Sequence, residues 1–231
     1  GELVYAGGAV TGLTISSGGF EIIAAGATVS SLILSNGVTL SVGAGGSAVN
    51  TTVLKGGNFV YAGGTVTGLA VASGGVERVT SGVTVEGLGI GNGVILIVSS
   101  GATASRTTLN SGTEIVSSGG QLLGATVFGA HATLSVAGPA VTTNISGFKA
   151  TDTIDLASFK FGTAEKLSFV EDKAKTGGVL TITDGTLKAA ITLFGQYVAG
   201  GFHIAADGAG TAITYATPPA SVHPDLAGGH T

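Results

Sequence analysis

The chain of 231 residues contains no cysteine, methionine or tryptophan. Without cysteine there are no disulfide staples and no thiolate metal sites, a usage that fits an exported protein. Charge is scarce as well: Asp, Glu, Lys and Arg make up 10% of the residues, and the formal net charge is −4. A nucleic-acid partner would want clustered Lys and Arg, which this mildly acidic chain does not offer. Proline occurs four times and glycine lacks an every-third-residue period, so a collagen-like triple helix is excluded. No apolar run reaches 18 residues, so no membrane-spanning helix is expected. No signal-peptide pattern is visible, and the chain starts in mid-pattern at Gly1-Glu2-Leu3-Val4, which reads as a fragment or a processed product.

What is abundant is glycine, with 42 copies, and it recurs at a fixed spacing. Taking the glycine after a small residue as anchor gives Gly7, Gly26, Gly45, Gly63, Gly82, Gly101, Gly119 and Gly138, at steps of 19, 19, 18, 19, 19, 18 and 19. Eleven residues after each anchor stand Gly18, Gly37, Gly56, Gly74, Gly93, Gly112 and then Ala130. Three before it come Val4, Ile23, Val42, Val60, Val79, Val98 and Val116, with Ser135 breaking the series. Further apolar columns run through Val10, Val29, Ala48, Val66, Val85 and Ala104, and through Ile15, Leu34, Val53, Val71, Ile90, Leu109 and Val127.

Each period thus holds short β-rich runs closed by glycine turns, where a tight corner needs positive φ or close backbone approach. One unit cannot bury its own apolar residues, but stacked units can, because each column becomes a continuous stripe. Nineteen residues are too few for a four-stranded propeller blade or a helical pair, and the Leu/Asn signature of leucine-rich repeats is absent. The expected fold is all-β: a right-handed parallel β-solenoid of about eight rungs, roughly 38 Å long at ~4.8 Å per rung.

The runs Ser17-Gly18-Gly19-Phe20-Glu21-Ile22-Ile23-Ala24-Ala25-Gly26 and Glu114-Ile115-Val116-Ser117-Ser118-Gly119-Gly120 resemble the AIDA-type repeats of self-associating autotransporter adhesins. Asn110-Ser111-Gly112-Thr113 is similar to the lead-in of such a repeat. The resemblance covers about residues 1–147. It implies a bacterial surface passenger domain, adhesion or autoaggregation, and O-glycosylation of Ser and Thr on the repeats.

After Phe148 the period stops and charge rises, with Lys149, Asp152, Asp155, Lys160, Glu165, Lys166, Glu171, Asp172, Lys173 and Lys175. Strand-like runs flank Asp184-Gly185 and Asp207-Gly208, both hairpin signals. Residues 148–217 therefore read as a β-rich cap that covers the open end of residues 1–147. Residues 218–231 read as a flexible tail. The segment carrying Thr151-Asp152-Thr153-Ile154-Asp155-Leu156, Leu193-Phe194-Gly195-Gln196-Tyr197 and Phe202-His203 resembles the C-terminal regions of large secreted Gram-negative repeat proteins.

Candidate chemistry is sparse. Asp152 and Asp155 are weighed as Ca²⁺ ligands against turn-capping aspartates, and capping is preferred because calcium wants six to eight oxygens. His131, His203, His223 and His230 do not pair at metal-ligand spacing, and His131 reads as a surface turn residue. Glu2, Glu21, Glu77 and Glu114 share one column, five before the anchor. A stacked pair there is what a solenoid glycan hydrolase or lyase would use, but no Arg shares the column, and a solvated acidic face is the preferred reading. No catalytic residue, metal or cofactor is assigned.

The column four before the anchor reads Leu3, Ile22, Ser41, Phe59, Arg78, Ile97, Ile115 and Leu134, beside another apolar column. Neighbours on a strand face opposite ways, so one of the two must point outward. Ile22, Phe59, Ile97 and Ile115 are the candidate stripe for side-by-side self-association. The expected function is a non-enzymatic adhesin or autoaggregation module, secreted to a bacterial cell surface or extracellular matrix. Its expected partners are copies of itself and a host or neighbouring cell, with no nucleic acid. The alternative is a self-assembling subunit of a filament, surface layer or biofilm matrix.

Overall fold

A computed structural model describes residues 1–13 and 15–218, so the expected tail beyond Pro218 lies outside the described residues. Among these residues the backbone is almost all β, with one 3-10 turn at Ala199–Gly201. The chain winds into a parallel β-solenoid with three faces.

The first face stacks Glu2–Tyr5, Phe20–Ile23, Thr39–Gly43, Asn58–Ala62, Val76–Val79, Ile95–Val98, Thr113–Val116, Thr133–Val136 and Thr153–Leu156 in parallel. Tyr5, Ile23, Val42, Tyr61, Val79, Val98, Val116, Val136 and Leu156 stand in register along it. The steps between them are 18, 19, 19, 18, 19, 18, 20 and 20 residues, which makes eight turns of about nineteen.

This register corrects the sequence columns at three rungs, the first of them the opening rung, where Tyr5 and not Val4 stands in line with Ile23. Tyr61, not Val60, points inward in the fourth rung, and Val136 fills the place that Ser135 seemed to break. The cause is the downstream anchor. Asn58–Ala62 runs on into the Gly63-Gly64 pair, and the eighth rung is long, so counting back from Gly63 or Gly138 lands one residue off. The upstream corner holds its place better. Gly18, Gly37, Gly56, Gly74 and Gly93, then Ser111 and His131, all take left-handed φ two residues before each strand of the first face.

Another corner, absent from the sequence columns, runs through Gly12, Ser31, Asn50, Gly68, Gly87, Arg106 and Gly124, with φ between 53° and 75°. Three of its members are not glycine and carry a left-handed penalty of ~1–2 kcal/mol each. The fold tolerates that because the corner is fixed by rung-to-rung bonds: Ser31 N–H donates to Val49 O at 2.9 Å and Arg106 N–H to Leu123 O at 2.9 Å.

Inward rows fill the narrow core. Leu40, Phe59, Leu96 and Leu134 from the first face meet Val29, Ala48 and Ala104 from the second and Leu34, Val53, Ile90 and Leu109 from the third, all essentially without solvent contact. Phe128 continues the third-face row where Val127 had been expected.

The second and third faces are each interrupted. On the second, the ladder Gly8–Thr11, Ala27–Ser30, Ser47–Val49, Thr65–Thr67 stops, and Thr84–Glu86 starts a new one with Thr103–Ser105 and Gln121–Leu123. On the third, Ile33–Leu34, Thr52–Val53 and Ala70–Val71 stop, and Gly89–Ile90 begins the run through Thr108–Leu109, Ala125–Phe128 and Ala140–Ser146. Between the fourth and fifth rungs, only the first face is continuous.

Past Phe148 the parallel stack goes on for one more strand, Thr153–Leu156, before polarity reverses. Gly210–Tyr215 pairs antiparallel with it, and Phe202–Asp207 pairs antiparallel outside that. Leu187–Phe194 adds in parallel to Ala140–Ser146, then folds back through Gly177–Asp184 and Lys166–Glu171. Both hairpin signals fall on two-residue turns, with Gly185 and Gly208 at φ 57°. Phe169, Tyr197, Phe202 and Tyr215 lock the two hairpins together, with ring centroids 4.9–6.2 Å apart. Such aromatic pairs contribute about 0.5–1.5 kcal/mol each beyond area burial.

Candidate interaction surface

The outward row of the first face is Val4, Ile22, Ser41, Val60, Arg78, Ile97, Ile115, Ser135 and Asp155. Ile22, Ile97 and Ile115 stand in this row, half-buried by their neighbours along the ladder. Phe59 does not. It is fully buried, one residue earlier in the strand, and stacks edge-on against Tyr61 at 5.0 Å inside the core. A one-residue slip in a strand flips a side chain to the other face, and the misplaced anchor produced that slip. Val60 takes the outward position instead.

The parallel outward row two residues earlier adds Phe20, Val76 and Ile95. The apolar surface therefore has two patches, Val4 with Phe20 and Ile22, and Val76 with Ile95, Ile97 and Ile115, parted by Ser41, Val60 and the exposed Arg78.

The acidic column is corrected more deeply. Glu2 is exposed and registers with Phe20, not with the other glutamates. Glu21, Glu77 and Glu114 share the inward row with Leu40, Phe59 and Leu96, at 2%, 4% and 0% exposure. Tyr61 OH donates to Glu77 Oε1 at 2.5 Å, and Thr107 OH donates to Glu114 Oε2 at 2.8 Å. Oε2 of Glu21 and Oε1 of Glu114 have no hydrogen-bond partner. Burial pushes all three carboxyls above their usual range, Glu114 up to about 7 despite the opposing Thr107 bond. Apolar rungs separate these acids, so the closest two are two rungs apart, about 10 Å. They form no adjacent pair, and the solvated acidic face does not exist.

No family model matches the chain. No curated protein matches it. A solved structure of a hyperglycosylated fragment of TibA, glycosylated by TibC, is similar to it, with 25% identity over 66% of this chain and 69% of that one and a TM-score of 0.49. The fold described above rests on strand pairing and not on this likeness.

Asp152 caps a turn with both oxygens, Oδ1 accepting from Ala132 N–H and Oδ2 from Lys149 N–H, each at 2.9 Å. Asp155 faces the other way, and its Oδ2 accepts from Ser135 OH at 2.6 Å. The two do not converge, and among the described residues no three acids or histidines cluster as a metal site would need. His131 is an exposed corner residue with φ 53°. His223 and His230 lie outside the described residues.

Proposed function

We propose that the chain is a non-enzymatic adhesion or autoaggregation module of a bacterial cell surface, in which rods associate side by side through the first face. The observation that carries this reading is the outward apolar row on a parallel sheet, with Ile97 and Ile115 on adjacent rungs beside Ile95. An apolar patch of this kind on a rod is an interaction surface by default. The resemblance of the repeats to AIDA-type sequences supports the same reading and extends it to secretion and to glycosylated Ser and Thr. Among the described residues Glu21, Glu77 and Glu114 are buried and at least two rungs apart, which gives no support to a stacked acid pair.

Light scattering of the unaltered chain against an Ile97→Asp, Ile115→Asp double variant tests the reading. The parent should grow in scattering with concentration and the variant should stay monomeric with an unchanged circular-dichroism spectrum. Equal association of the two would overturn the reading. Concentration-dependent fibres that persist in the variant would favour a structural subunit joined end to end.

A further inference from the structure

Where the second and third faces are interrupted, the fourth and fifth rungs part and leave a cleft. The rungs still touch at its two limits: Thr80 N–H donates to Tyr61 O at 3.1 Å, and Gly74 N–H to Gly93 O at 2.8 Å. Between these points lies a wedge of about 270 Å³ lined by Tyr61, Leu69, Val71, Glu77, Leu88 and Val94.

Three features set this joint apart. The wall residues Leu69, Val71 and Leu88 are only partly buried, whereas Leu32, Leu34, Val53 and Leu109, the equivalent residues of closed joints, are sealed. The glycines on the fifth-rung side face open space: a Cβ added at Gly82, Gly87, Gly89 or Gly91 would meet nothing within 4 Å. At closed joints the same addition strikes the rung before, as Gly56 would strike Asn36 and Gly101 would strike Ser81. At the back of the wedge sits Glu77, a 4% exposed carboxyl whose one side-chain hydrogen bond comes from Tyr61. Among the described residues no Lys, Arg or His forms an ion pair with it. Among the described residues the ion pair is Arg106 with Glu86, at the surface. Arg78 follows Glu77 in the strand and so points out of the solenoid.

A slot with leucine and valine side chains on its walls, the backbone of Gly87, Gly89 and Gly91 between them, and a carboxyl without a positive partner among the described residues has a definite complement. The side chains of Leu69, Val71, Leu88 and Val94 favour an aliphatic body. A carboxylate removed from water is costly unless a charge meets it, and inside the wedge a cation would meet it in a low dielectric. An anion would be repelled, and a neutral hydrocarbon would leave the carboxyl unpaired. We propose that this cleft binds a small aliphatic ammonium compound, its ammonium group on the Glu77 carboxylate and its chain against Leu69, Val71, Leu88 and Val94. The site is interior and separate from the outward row, so it stands or falls independently of rod association.

Methyl NMR of the full chain, titrated with hexylammonium and in parallel with hexanoate, tests the proposal. Hexylammonium should give saturable shifts confined to the methyls of Leu69, Val71, Leu88 and Val94. Hexanoate, with the same chain length and the opposite charge, should bind roughly tenfold or more weaker. Glu77→Gln keeps the acceptor for Tyr61 and removes the charge, and should weaken hexylammonium by a similar factor. Absence of saturable shifts at those methyls, equal binding of hexanoate, or equal binding to E77Q would overturn the proposal. If E77Q does not fold, the comparison of the two ligands on the unaltered chain decides alone.

Discussion

The first face and the other two are built from the same nineteen-residue unit, yet one is an unbroken ladder and the others are not. Strands of four or five residues make up the first face through Leu156, whereas the second and third rely on strands of two to four as far as Phe128. A longer strand brings more ladder bonds per rung. At the fourth joint the short strands let go and the long one holds. Cohesion in this solenoid is therefore not shared equally around the coil.

The comparison can be sharpened by substitution. Phe59→Ala on the first face should cost about 3–5 kcal/mol in urea denaturation, with both transfer and cavity terms in full. Leu88→Ala at the open joint should cost less than half of that, because Leu88 is already partly in water. Equal losses would mean that the wedge is closed in solution.

The buried acids should make the first face sensitive to pH. The Glu114 carboxyl titrates from 4.5 in the unfolded chain to about 7 when folded. Folding thus disfavours its charged form. The stability this group contributes is complete below pH 4.5 and is lost as pH rises through 7, a fall of about 3 kcal/mol. Glu21 and Glu77 are raised in the same direction. Denaturation midpoints measured from pH 4 to pH 8 should decline, and Glu114→Gln should flatten the decline.

Hydrogen exchange should separate the two kinds of joint directly. Amides of Thr84–Glu86, an edge strand at the open joint, should exchange on the order of 100-fold faster than those of Thr103–Ser105, a strand that pairs on both sides. The smallest contrast is at the corner glycines. Gly87→Ala would incur only the left-handed penalty of ~1–2 kcal/mol, since its Cβ finds open space. Gly68→Ala carries the same φ penalty and would also collide with the Asn50 side chain, so it should be the worse of the pair by thermal melting.

The repeat, the eight turns and both hairpins were legible because glycine corners and Asp-Gly turns are local signals. Which residue faces inward was legible only as far as the anchor was sound. A period of two turns a one-residue error into a change of side, and Phe59 and Val60 changed places for that reason. The buried glutamates were hidden differently. A carboxyl in an inward row contradicts the pattern by which rows are recognised, so Glu21, Glu77 and Glu114 read as surface. Counting forward from Gly18, Gly74 and Ser111 would have put each of them in line with Leu40 and Leu96. The open joint left no trace in the columns at all. Val66, Leu69 and Val71 look like their equivalents in any other rung, and whether two rungs close is decided by packing between them.

A rod held at one joint by a single ladder and the Gly74–Gly93 corner bond has a mechanical weak axis. Bending that compresses the first face opens the wedge further and strains no hydrogen bond on the other two faces, whereas bending in the opposite sense drives Leu69 against Leu88 and stops. Under a lateral load the molecule would flex at residues 61–94 and in one direction, like a finger at its knuckle, while the rungs on either side stay stiff.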